Sequence, residues 1–128
     1  MRILSFVFLF VFAVSISAQS TKFDDLFSEG TRHANAGRFD AALKSYKSAL
    51  TVAETKYAGK EYRARLHYNI GVCYFQLDQF KLAENEFKSA VLIKTDYSQA
   101  HFALDKLRTR ARDLESHGSA IGNMRSER

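Results

Sequence analysis

Residues 37–50 read GRFDAALKSYKSAL, and residues 78–91 read DQFKLAENEFKSAV. Phe stands third in both, Ala sixth and an aromatic tenth, and Lys-Ser-Ala follows the aromatic each time. Ala, aromatic and Ala are thus four and then three residues apart. That spacing places all three on one side of a helix and cannot line one face of a strand. The chain therefore makes the same amphipathic helix twice, the mark of an internal repeat.

Worked outward from that pair, apolar spacing divides the chain into five helices. The first, about 21–36, carries Phe23, Leu26, Phe27 and Gly30 along one side. Gly37 ends it, as the residue most easily placed in a left-handed C-terminal turn. The second, about 40–56, opens with Asp40, which suits the helix dipole. Ala58-Gly59 interrupts the pattern. A third helix, about 61–77, holds Leu66, Ile70, Cys73, Tyr74 and Leu77, and a fourth spans about 80–93. The fifth, about 97–115, has Ala100, Ala103, Leu104, Leu107, Ala111 and Leu114 on one stripe, with Lys106, Arg108, Arg110 and Arg112 opposite. From Ser116 the chain is Ser, Gly, Asn and charge, so residues 116–128 read as a flexible tail. With six Gly and no Pro in 128 residues, few positions forbid helix. Connections of a few residues make consecutive helices antiparallel neighbours.

The first residues follow a different plan. Met1-Arg2 is a short positive region, Ile3 to Val14 is apolar except for Ser5, and Ser15-Ile16-Ser17-Ala18 supplies small residues. This is the layout of a secretory signal peptide over 1–18, with Gln19 as the mature N-terminus. The apolar run is shorter than the ~20 residues a spanning helix needs. The mature chain is therefore expected to be exported, periplasmic or secreted, with no stable membrane span. The formal charge of +5 is mild. Lys and Arg alternate with Asp and Glu, which reads as a solvated helical surface and not as a nucleic-acid footprint. One Cys leaves no intrachain disulfide framework.

On these residues the chain resembles the tetratricopeptide repeat family, whose helix-turn-helix unit is about 34 residues long. In a first unit, residues 23–56, Leu26, Gly30, Phe39, Ala42, Tyr46 and Ala49 fall in register. In a second, residues 64–97, the matching set is Ile70, Gly71, Tyr74, Phe80, Ala83, Phe87 and Ala90. Residues 98–115 keep the phase as a capping helix. The resemblance implies an all-α fold, an α-α superhelix (solenoid) of two helix hairpins plus a C-terminal cap, over 19–115. It implies that Gly30 and Gly71 sit where the helices of a unit come closest, faced by Ala42 and Ala83. Phe39 and Phe80 would wedge under the turns, and Ala49 and Ala90 would admit the next unit's helix. Glu29 and His33 depart from the usual Leu and aromatic, and Glu54 and Thr95 replace the closing Pro. The longer offset between the units implies extra residues in the second and third helices around Tyr57 to Arg63.

Chemistry has little to stand on. His33, His67 and His101 are evenly spaced, but His33 holds a different place in its unit, and no Cys or carboxylate cluster at ligand spacing accompanies them. Cys73 has no sequence signal of an activating base and takes a slot between helices. No phosphate loop, nucleophile elbow or carboxylate pair appears. No catalytic, metal or cofactor-binding residue is assigned, and an enzyme is not expected.

The resemblance instead implies a binding groove lined by the first helix of each unit. Phe27, Tyr68 and Phe102 share the fifth position of that helix and would form an aromatic row. Thr31, Arg65, Asn69, Val72, Phe75, Gln76, Gln99 and Lys106 fall around them by the same register. Asn69 matches a place where groove-binding members hold a peptide backbone. The expected partner is a peptide segment of another protein. The alternative is a homo-oligomer formed through exposed helix faces, such as the first helix with Glu29.

Overall fold

Gly37 and Asp78 hold the same place in the two repeats, and both have left-handed backbones, with φ of 71° and 57°. The hydrogen bonds around them also repeat. The N–H of Arg38 donates to the His33 carbonyl and that of Gly37 to Ala34. The N–H of Gln79 donates to Tyr74 and that of Asp78 to Phe75. Each is a paired closure that satisfies the last carbonyls of one helix while reversing the chain into the next. The turn chemistry thus repeats even where the residue does not.

The computed structural model describes residues 22–55 and 59–126. In order, the helices are α1 over 22–35, α2 at Phe39–Thr55, α3 at Lys60–Gln76, α4 at Phe80–Ile93 and α5 at Ser98–Ser126. No strand occurs among the described residues. Helix α3 packs on α2 and α4, and α4 packs on α5. The signal peptide expected over 1–18 lies outside the described residues, as does Tyr57. Helices α2 and α3 are each 17 residues against 14 for α4, so they hold part of the additional length, while Gly59 stands outside both as the residue before α3.

Each hairpin is closed by a ring seated on a glycine. A Cβ on Gly30 would stand 2.6 Å from Tyr46 Cδ1, and one on Gly71 would stand 2.6 Å from Phe87 Cε1. The nearest neighbours of the two glycines are therefore these aromatics. Helical side chains lean toward the N-terminus, so the ring one turn later covers the spot beside the alanine. Ala42 and Ala83 are fully buried all the same, as are Ala49 and Ala90. Phe39 and Phe80 are half-buried against the core, and Phe80 meets Phe75 edge-on at 5.6 Å. Phe87, Leu66, Ile70 and Cys73 are the largest fully buried side chains, and Lys47 Nζ lies 5.1 Å above the Tyr74 ring.

Helix α5 departs from expectation. The tail assigned to 116–128 continues α5 as far as Ser126. The apolar stripe loses its support near Leu114, which is half exposed. No Pro stops the backbone, and a single Gly such as Gly118 costs only about 1 kcal/mol in a helix.

Candidate interaction face

The odd-numbered helices meet along one face. Phe23 of α1 touches Tyr62 of α3 edge-on at 5.4 Å, and the Arg65 guanidinium of α3 lies 4.2 Å above the Phe27 ring. At the other end Lys106 Nζ of α5 stands 5.8 Å from the centre of the Phe75 ring on α3.

The three aromatics of the row differ in surroundings. Phe27 is half-buried, covered by Arg65 and packed on Tyr46 at 5.6 Å and Phe23 at 6.2 Å. Tyr68 is also half-buried, against Phe87 at 5.8 Å and Tyr97 at 5.5 Å. Phe102 is 71% exposed. Tyr68, Val72, Phe75, Phe102 and Lys106 line one cavity of about 180 Å³ with Phe87 behind them. Phe102, Phe75 and Lys106 also border a wider cleft of about 680 Å³, shared with Phe80 and Arg110.

A third cleft, about 630 Å³, is lined by Arg65 and Gln99 together with Tyr62, Tyr97, Glu61 and Lys94. The structure thus brings most of the expected groove residues into two adjoining hollows, joined where Tyr68 touches Tyr97. Phe27, Thr31 and Asn69 line none of these three. Thr31 has a structural use: it accepts from the Tyr46 hydroxyl at 3.1 Å and donates to the Phe27 carbonyl at 3.0 Å. Asn69 is half-buried on α3.

Tyr62 and Tyr97 were invisible to the repeat register. Tyr62 falls in the additional residues between the units, and Tyr97 is the last residue of the second unit, one step before α5. The hydrophobicity of both, flanking positions already assigned to the face, was the available signal. Burial raises the Tyr97 hydroxyl above its ordinary range, with Tyr68 adding to the shift and the Arg65 and Lys94 cations opposing it. Lys94 Nζ bonds Glu61 Oε1 at 2.5 Å and lies 3.7 Å from Asp96. That hydrogen bond holds the Glu61 carboxyl below its usual range and raises the Lys94 ammonium.

The histidines sit in three separate settings. His33 accepts from Arg38 Nε and lies 3.7 Å from Glu29, His67 pairs with Glu86 at 2.7 Å, and His101 meets the Thr95 carbonyl at 2.8 Å. Among the described residues no group of His, Cys, Asp and Glu has the arrangement of a metal site. Cys73 is 1% exposed, and burial pushes its thiol up to about 11, so it is protonated at neutral pH and closed to an intermolecular partner. No described helix is long and apolar enough to cross a membrane.

Comparison with known proteins agrees with the geometry. A family model described as tetratricopeptide repeat matches residues 31–96, which run from the last turn of α1 through α2, α3 and α4. A search of curated proteins finds no match.

Proposed function

The chain belongs to the tetratricopeptide repeat family, whose repeats generally mediate protein–protein interaction and are generally non-catalytic. From that premise we propose that it is an exported docking module that holds a peptide segment of another protein across the face built by α1, α3 and α5. The observation that carries this reading is Phe102, a large aromatic 71% exposed at the edge of an apolar cavity. Half-buried aromatics beside an exposed one, rimmed by Gln76, Gln99 and Lys106, have the composition of an interface core with a polar rim.

Export rests on the signal-peptide layout of residues 1–18. Sequencing the N-terminus of the protein recovered from envelope or secreted fractions should give Gln19. A chain that keeps Met1 and stays in the cytoplasm contradicts export without touching the docking claim.

Docking is tested by placing a photo-crosslinking amino acid at position 102 in cells and, in parallel, at position 92. Leu92 is 83% exposed on α4, away from the face. Adducts to a distinct protein from position 102, and none from 92, are expected. The reverse pattern overturns the assignment. Adducts only to a second copy would favour the self-assembly reading, for which exposed Phe102 and Leu114 on α5 are the supporting observation.

A further inference from the structure

Phe102 stands at the rim of a cavity that its own ring does not fill. Tyr68, Val72 and Phe75 of α3 line that cavity of about 180 Å³, Phe87 closes it behind, and Phe102 stays 71% exposed. An apolar cavity of about 150 Å³ already accommodates benzene, so this one takes a single phenyl ring. The chain itself presents such a ring at the same spot on α5.

The large exposed apolar side chains among the described residues are Tyr62, Leu82, Leu92, Phe102 and Leu114, and none is on α1 or α2. The α1–α2 end of the array therefore offers no apolar seat for the α5 end of another copy. Contact between like ends, closed by a two-fold axis, is the arrangement left. The polarity around Phe102 suits that axis. Within one turn of Phe102, on its side of α5, stand Ser98 and Gln99 before it and Asp105 and Lys106 after it, all exposed. Two α5 helices crossed antiparallel at Phe102 set the uncharged pair of each copy against the charged pair of the other. Gln99 is then placed to donate to Asp105 of the second copy and to accept from its Lys106. Arg108 takes Oδ1 of Asp105 at 3.0 Å, which leaves Oδ2 for the amide. A parallel crossing sets Lys106 on Lys106 and Asp105 on Asp105.

We infer that two copies of the chain pair face to face through α5, each seating Phe102 in the other's cavity between Tyr68, Val72 and Phe75. The second copy completes a site that is open in one chain. The pair covers the face assigned above to a peptide, so a docked segment and a second copy exclude each other, and the dimer is the closed form of the module. That exclusion rests on the docking reading; the pairing does not.

Sedimentation equilibrium of the full mature chain tests the pairing, with Phe102→Asp, Phe102→Ala and Leu114→Asp beside wild type and a thermal melt recorded for each. Wild type should pass from monomer to dimer and no further as concentration rises, and Leu114→Asp should follow it. Both Phe102 variants should dimerise at least about tenfold more weakly while still melting as folded proteins. A wild type that stays monomeric up to about 1 mM, a mass that grows past the dimer, or a dimer that survives in the Phe102 variants overturns the inference. So does a dimer lost in Leu114→Asp, which moves the contact farther along α5. A short peptide selected by phage display against the wild-type protein should then return the dimer to monomer. A dimer that binds this peptide without dissociating overturns the exclusion. A wild type that binds the peptide but never dimerises sinks this inference alone, whereas a Phe102-dependent dimer for which no peptide can be selected sinks the docking reading alone.

Discussion

At the scale of single residues, the two turns give the sharpest comparison, because the same backbone is built once with Gly and once with Asp. A left-handed φ costs a residue with a Cβ roughly 1 kcal/mol, somewhat less for Asp. Asp78→Gly should therefore raise stability by about 0.5–1 kcal/mol, and Gly37→Ala should lower it by about 1 kcal/mol, read from urea midpoints. The glycines beneath the rings are needed for a steric reason and not for their backbone angle. Gly71→Ala gains about 1 kcal/mol of helix propensity but drives a Cβ into the Phe87 ring, which is 2% exposed and has nowhere to go. Overpacking of that kind costs about 1–3 kcal/mol, so a net loss is expected, and Gly30→Ala under Tyr46 should follow it.

Cys73 supplies a prediction with a sign. Its folded thiol is held up to about 11 by burial, above the ordinary 9.0 that an unfolded chain shows. As pH rises past 9 the unfolded state loses that proton first, so it binds fewer protons than the native state and stability falls. The contribution is fully present below pH 9 and gone above 11. The raised hydroxyls of Tyr46 and Tyr97 and the raised Lys94 act in the same direction. Stability measured across pH 9 to 11 should decline in the wild type and decline less in Cys73→Ala. A thiol reagent at neutral pH should label Cys73 only as fast as the chain unfolds.

At the scale of elements, α5 keeps the phase of a unit's first helix. Asp105 stands where Gly30 and Gly71 stand in the two units, and it pairs with Arg108 at 3.0 Å. An aromatic from a further hairpin would meet the Asp105 side chain where Tyr46 and Phe87 meet bare glycine, which supports the proposal that α5 caps the array. Among the residues of α5 whose burial is described, the last buried one is Leu107, which is 8% exposed. Truncation after residue 117 should leave the melting temperature nearly unchanged, whereas Leu107→Ala should cost about 2–3 kcal/mol. A large loss on truncation would mean that the end of α5 has a packing role.

At the scale of the whole molecule, the hairpins were legible because period, small residues and aromatics all point to one fold. Gly30, Gly71, Tyr46 and Phe87 were found in register from sequence, although which side chain covers each glycine depended on how helical side chains lean. The interaction face was legible as a set of positions but not as a surface. Phe27, Tyr68 and Phe102 are equivalent by register. Arg65 of α3, in the next unit, covers the first, and Tyr97, ahead of α5, abuts the second. No later helix among the described residues reaches Phe102. Exposure is set by the neighbouring unit of the array, which a repeat register cannot report. The same reason hid Tyr62, which lies between the units, and Tyr97, which ends the second.

That difference makes Phe102 the point on which the docking account turns. Its ring contributes little to the core, so Phe102→Ala should melt within about 0.5 kcal/mol of wild type. Tyr68→Ala, by contrast, should lose stability through its contacts with Phe87 and Tyr97. The most direct measurement selects short random peptides displayed on phage against the wild-type protein and titrates one of them calorimetrically into wild type and Phe102→Ala, with the melt of each recorded alongside. The account predicts at least a tenfold loss of affinity with an unchanged melt. Equal affinity for the two folded proteins would contradict it.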